Sequence, residues 1–354
     1  MNLVLTKECS KRCSFCFTGN YDAGTEMSFD FIERVVSHFY ELPMSQLMES
    51  GLNNKYFEKR EDLKLLGGEP TQHSKFTEII ELIEGTGVKV RLISNMLFPT
   101  KIREFLSKRT NSLSGILCNG MELDEHNRMK LFKKNISVFG EINKRGEMAI
   151  ALTIDANSTV EKYRDYIRFL KEELQSDFPQ WVRVGLDLSG MYILNNTYLG
   201  DIIRVIDEEI PEPKNIVFDC QVPPCIWGYD PYTTLNNFVG LHNSCDQVCL
   251  DIFKDGSAAH CYQAQNLKID NIFDYKTQGD LYYAFRKMYK QKEKEEYPVP
   301  DVCQSCKYYH DNKCNGICIG CHLGGESNQL AKEIPLPVFY SEAPYVNKAP
   351  LQVH

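Results

Sequence analysis

Residues 2–16, NLVLTKECSKRCSFC, run a short apolar segment straight into three closely spaced cysteines, Cys9, Cys13 and Cys16. The segment "NLVLT" predicts a strand over 2–6. Thiols placed immediately after a strand predict a ligand-holding loop at its C-terminal end, where an α/β barrel carries its active-site loops.

Outward from this start, apolar β-branched runs alternate with amphipathic stretches. Further strands are predicted at 62–70 (DLKLLGGEP), 88–95 (VKVRLISN), 114–120 (SGILCNG), 147–156 (EMAIALTIDA) and 182–190 (VRVGLDLSG). Between and after them, 28–42, 75–85, 100–110, 124–135, 159–174 and 199–210 place apolar residues three and four apart, several opened by Ser, Thr or Asp as helix caps. This rhythm predicts an α/β fold, a partial (β/α)6 TIM-like barrel over residues 1–225. The stretch 43–61 is longer than an ordinary αβ connection and reads as an insertion or a helix extension. After about residue 226 turn residues and cysteines replace the alternation, so a small metal-stabilised domain is expected over 226–330, followed by a Pro-rich tail over 331–354.

Composition narrows the function. The 354 residues carry 43% apolar and 25% charged residues, a net charge of −8 and fourteen cysteines. No apolar run reaches the length of a membrane span and no secretory leader precedes the first cysteines, which predicts a soluble cytoplasmic protein without a membrane partner. Basic residues are scattered or mixed with acidic ones, as in RKMYKQKEKEE, which argues against a nucleic-acid partner. So many thiols in a reducing compartment point to metal rather than disulfides. Eight of them fall between residues 245 and 321.

Cys9-x3-Cys13-x2-Cys16 and the downstream Gly67-Gly68-Glu69-Pro70 together resemble the radical S-adenosylmethionine (SAM) superfamily. The resemblance implies a [4Fe–4S] cluster held by the three thiolates, with the fourth iron left for the amino and carboxylate groups of SAM. It implies further that Phe15 lies near the adenine, that Gly67 and Gly68 let the backbone approach the ligand, and that Glu69 pairs with the SAM ammonium. Ser94 and Asn95, Leu186 and Arg128 are carried over as SAM contacts by position. The residues by themselves also admit a structural zinc knuckle completed from elsewhere, and an ordinary exposed helix arginine at Arg128.

The C-terminal cysteines resemble the SPASM extension of that superfamily, which implies two auxiliary [4Fe–4S] clusters. One would take Cys245, Cys249, Cys261 and Cys318, and the other Cys303, Cys306, Cys314 and Cys321. The Cys306 to Cys314 spacing exceeds the family's usual five, and Cys303-x2-Cys306 with Cys318-x2-Cys321 alone would read as a zinc ribbon. Cys118 reads as a small buried hydrophobe. Cys220 and Cys225 are candidate catalytic thiols, able to return a hydrogen atom to a substrate radical, or else structural.

The resemblance implies reductive cleavage of SAM to a 5′-deoxyadenosyl radical and hydrogen abstraction from a substrate C–H bond, with electrons from a donor such as flavodoxin or ferredoxin. A ribosomally synthesised peptide is the preferred substrate, to be crosslinked, epimerised or otherwise oxidised. Sugar nucleotides or aminoglycosides are the small-molecule alternative, and a non-catalytic zinc- or cluster-binding scaffold the alternative of another class. Tyr262 stands where sulfatase maturases of this family carry an aspartate, which counts against that activity. With the first cysteine at residue 9, no leader-binding module is expected ahead of the barrel, so either a separate leader-recognition protein captures the leader, or the barrel rim and the 43–61 insertion do, or the substrate is small.

Overall fold

A computed structural model describes residues 1–13, 16, 26–40, 62–123, 125–155, 158–186, 196–210, 215–218, 234, 238–240, 250–259, 267–296 and 301–311. Phe15, Cys220, Cys225, Cys245, Cys249, Cys261, Cys314, Cys318 and Cys321 lie outside the described residues, as do the 43–61 stretch and the tail.

The six strands expected from the alternation are present and pair in chain order: β1 (Asn2–Val4), β2 (Asp62–Leu66), β3 (Lys89–Ser94), β4 (Leu113–Asn119), β5 (Met148–Ile154) and β6 (Trp181–Leu186). Each pairs in parallel with the next. Parallel pairing requires a crossover, and the helices between the strands supply it. Helix α1 (Phe29–Tyr40) buries Ile32, Val35, Val36 and Phe39, and α2 (Phe76–Gly85) buries Phe76, Ile79, Ile80 and Ile83. Both sets follow the helical repeat, which lays one apolar stripe on the sheet. Next come α3 (Thr100–Ser107), α4 (His126–Ile136) and α5 (Gly140–Lys144). Helix α6 (Val160–Leu174) is opened by the Thr159 hydroxyl, which accepts from Lys162 N–H at 3.1 Å, and α7 (Asn196–Glu209) follows β6.

On β5, Met148, Ile150, Leu152 and Ile154 are buried while Ala149, Ala151 and Thr153 are partly exposed. One face therefore packs against helices and the other, built of small side chains, lines the concave side.

The sheet continues beyond the six strands. Past β6 come β7 (Asn215–Phe218) and β8 (Phe238–Gly240), both parallel. On the other side β9 (Asp251–Ile252) runs parallel to β1, and β10 (Ala258–Ala259) and β11 (Lys268–Ile269) add antiparallel. Among the described residues the sheet has eleven strands, in the order β11-β10-β9-β1-β2-β3-β4-β5-β6-β7-β8. Helix α8 (Gln278–Glu296) follows, burying Leu281 and Phe285, and then the short α9 (Asp301–Gln304) and α10 (Lys307–His310).

Candidate active site at the C-terminal ends of β1 to β4

The loop that leaves β1 is seated by the end of β2. Leu5 N–H donates to Leu66 O at 2.8 Å, Gly68 N–H to Thr6 O at 2.7 Å and Glu69 N–H to Glu8 O at 2.7 Å, so pairing outlasts the strands. The two glycines make this approach possible. A Cβ on Gly67 (φ +152°) would lie 2.3 Å from Thr6 O, and one on Gly68 would lie 2.4 Å from Glu8 O and 2.5 Å from Lys7 O. The close contact they permit is with the cysteine loop itself, where the sequence suggested a ligand.

Glu69 is buried and serves as a hub. One carboxylate oxygen, Oε1, accepts from Thr71 N–H (3.2 Å), Thr71 Oγ1 (2.6 Å) and Ser94 Oγ (2.9 Å). The other, Oε2, accepts from Asn95 N–H at 2.7 Å. Burial raises the carboxyl pKa, and these four donors oppose the rise by favouring the ionised form. Ser94 also caps the next turn, accepting from Met96 N–H at 2.9 Å. Met96 is buried at φ +58°, a strained left-handed conformation for a side chain of this size. Asn135 of α4 holds the turn, its Nδ2 donating to Met96 O (2.7 Å) and Phe98 O (2.9 Å).

Cys9, Cys13 and Cys16 form no disulfide and are half-buried. Two asparagines reach them from the ends of neighbouring strands. Asn95 Nδ2 lies 3.5 Å from Cys9 Sγ and 3.2 Å from Ser10 Oγ, and Asn119 Nδ2 lies 3.9 Å from Cys13 Sγ. Each amide is oriented by its own backbone: Asn95 Oδ1 accepts from Leu97 N–H (2.8 Å) and Asn119 Oδ1 from Met121 N–H (3.0 Å). Lys11 N–H also donates to Cys9 Sγ at 3.4 Å. Burial raises the Cys9 thiol and pushes Cys13 up to about 12, with Cys16 adding to both. Among the described residues no three His, Cys, Asp or Glu side chains converge as ligands of a single ion. A cubane asks for something different, because each thiolate takes its own iron corner.

Lys11 was not singled out by sequence, since a lysine between two cysteines reads as a solvated side chain. It is 1% exposed, and its Nζ donates to Met121 O. Burial lowers its pKa, while Cys13 and Glu122 pull it back up. Glu122, at φ +54°, also touches Cys13. Asn119 was likewise unflagged, lying within an otherwise apolar strand.

The remaining expected residues are more dispersed. Arg128 on α4 pairs with Glu125 at 3.3 Å, and its charge is felt by Lys11, so it borders the site from the helix. Leu186 ends β6 opposite Ile154. Cys118 is fully buried on β4, as a small hydrophobe would be. Cys303 and Cys306 form no disulfide and are half-buried; Cys306 N–H donates to Cys303 O at 3.0 Å, and Cys306 stands at the N-cap position of α10.

The parallel α/β sheet thus gathers three thiols and a buried, donor-ringed carboxylate on adjoining loops at the C-terminal ends of its strands. The family model of the radical SAM superfamily matches residues 3–168, so the chain carries a radical SAM domain. That superfamily uses SAM and a [4Fe–4S] cluster. Among solved structures, Streptococcus suis SuiB bound to precursor peptide SuiA is similar at 16% identity and a TM-score of 0.59, over 96% of this chain and 74% of that one. SuiB bound to S-adenosylmethionine is similar at the same identity and TM-score, over 96% and 76%. At this identity the likeness is one of fold. No curated protein sequence matches the chain. No helix among the described residues is long and apolar enough to cross a membrane.

Proposed function

We propose that this protein is a SPASM-type radical SAM enzyme that modifies a ribosomally synthesised peptide. The observation that carries the reading is the backbone seat in which Gly68 and Glu69 hold Thr6–Glu8, bringing a buried carboxylate and three thiols to the ends of adjoining strands.

The donor set fits a cluster with one open iron. Cys9, Cys13 and Cys16 would each take one iron, and the N–H groups of Lys11, Asn95 and Asn119 would support the thiolate form of Cys9 and Cys13. Glu69 Oε1 is committed to three protein donors, whereas Oε2 accepts from one backbone N–H and keeps acceptor capacity for an ammonium. The cluster and SAM, when bound, supply one-electron cleavage of SAM and hydrogen-atom abstraction from a C–H bond. The small inner side chains of β5, Ala149, Ala151 and Thr153, leave room on the concave face for a substrate.

The auxiliary clusters belong to the same proposal. Asp251 pairs with Ala259, so the hairpin's two ends lie side by side, and in sequence Cys249 stands two residues before the first end and Cys261 two residues after the second. The CxxC turn of Cys303 and Cys306 supports a second such site. SuiB is a fold relative solved with a precursor peptide, which supports a peptide substrate over a sugar nucleotide or aminoglycoside. A separate leader-recognition protein, a flavodoxin or ferredoxin donor and a cytoplasmic location complete the reading.

The test is anaerobic reconstitution with SAM and dithionite. The expected result is about twelve iron per chain, from three four-iron clusters, together with 5′-deoxyadenosine. Incubation with a candidate precursor peptide deuterated at single residues should transfer deuterium into that 5′-deoxyadenosine. Transfer from a small-molecule substrate instead would overturn the peptide assignment, and absence of both cluster and product would overturn the enzyme.

A further inference from the structure

A buried ammonium within the cysteine loop is unusual, because an unpaired charge is costly to bury and a lysine can ordinarily extend to solvent. Lys11 is 1% exposed, yet its stem turns inward and its Nζ donates to Met121 O, 110 residues away. That carbonyl belongs to the turn in which Asn119 holds Cys13: Asn119 Nδ2 approaches Cys13 Sγ, Asn119 Oδ1 accepts from Met121 N–H, and Met121 O accepts from Lys11 Nζ. With the chain running from Lys11 to Cys13, these contacts close a ring. The Lys11 backbone N–H also meets Cys9 Sγ. One residue therefore presents a backbone donor to Cys9 and an ammonium to the turn whose Asn119 meets Cys13.

We propose that Lys11 is a positioning residue that places a fixed positive charge against the Cys9 and Cys13 thiolates and so raises the reduction potential of the cluster they hold. This rests on the assignment of Cys9, Cys13 and Cys16 as cluster ligands. Reduction adds negative charge to a cluster already bounded by thiolates, and a cation in a low-dielectric position stabilises the reduced form more than the oxidised one. Arg128 and Glu122 adjust the field around it, but Lys11 lies inside the loop itself.

The experiment compares wild type, Lys11→Met and Lys11→Arg in the full chain after anaerobic reconstitution. The potential of the SAM cluster is read by electron paramagnetic resonance during a redox titration, with SAM present to mark its signal, and iron content is measured in parallel. Lys11→Met keeps the apolar stem and removes the charge. It should retain its iron while the reduced-to-oxidised ratio at a fixed potential falls about tenfold, a downward shift of about 59 mV for one electron. Lys11→Arg should stay within about twofold of wild type. A Lys11→Met potential equal to wild type, or an equal shift in Lys11→Arg, overturns the inference and leaves Lys11 a structural tie. A wild-type chain with no SAM-responsive cluster overturns the proposed function along with it.

Discussion

Glu69 binds three donors through one oxygen and a single backbone N–H through the other, and this asymmetry gives Glu69→Gln a definite outcome. The carboxamide must put its NH2 where it faces fewest donors, which is against Asn95 N–H. One buried donor pair is then opposed, and no acceptor remains for an ammonium. The variant should lose about 2 kcal/mol of stability in urea unfolding. SAM affinity should fall at least about tenfold in equilibrium dialysis while iron stays near wild type. Unchanged SAM affinity would remove Glu69 from the ligand site. Gly68→Ala tests the neighbouring contact: its Cβ would strike the Glu8 and Lys7 carbonyls at 2.4 and 2.5 Å, and neither backbone can swing aside. A loss of about 2 kcal/mol or more, with reduced iron retention at Cys9–Cys16, is expected, and full iron loading would show that the loop seats itself another way. The glycines and Glu69 were legible in the sequence as a group, but the partner they accommodate was not. Nor was Lys11, whose environment depends on a carbonyl from the turn after β4, 110 residues along the chain.

Among the elements, β2 to β6 were legible because each spans at least five residues and supplies several apolar positions at a fixed period, as β5 does with Met148, Ile150, Leu152 and Ile154, while the three-residue β1 was legible as part of the apolar run that reaches Leu5. β9, β10 and β11 span two residues each, too few for any period to register, and β7 and β8 are scarcely longer. Their pairing is set by neighbours already in place, and the β1 to β9 junction shows one cost of this. Asp251 is buried in β9, hydrogen-bonded by Asn2 Nδ2 at 2.6 Å, and desolvation pushes its carboxyl up to about 7 despite that bond. The folded state therefore binds a proton that the unfolded chain has released at its ordinary value of 3.8. The contribution to stability is fully present below that unfolded value and is lost as pH rises through about 7. Between pH 6 and pH 8.5 this group alone should lower the unfolding free energy by about 1.4 kcal/mol. Asp251→Asn should flatten that slope in anaerobic urea titrations and be the more stable protein at the alkaline end. An unchanged slope would place the titrating group elsewhere.

At the scale of the molecule, the sheet order sets β1 between β2, which leads to Glu69, and β9, which leads into the C-terminal cysteines. The proposed SAM site and the proposed Cys245, Cys249, Cys261 and Cys318 cluster would thus be mounted on neighbouring strands, and the two mounts differ in strength. β1 is flanked on both sides, with Leu3 and Leu5 fully buried beneath the loop. The β9–β10 hairpin pairs only two residues per strand, so its order should depend on metal binding just past its ends. Cys13→Ala and Cys261→Ala should therefore part company. Each should lose about four of about twelve iron, and Cys13→Ala should also lose all 5′-deoxyadenosine formation while hydrogen exchange across β9 and β10 stays as in wild type. Cys261→Ala should speed exchange at Ile252 and Ala258 at least about tenfold, equivalent to about 1.4 kcal/mol of local stability, and leave the β4 and β5 amides protected. If Cys261→Ala keeps its iron, the assignment of that cysteine fails; if it loses iron without loosening the hairpin, the pairing with β1 is strong enough to stand without metal.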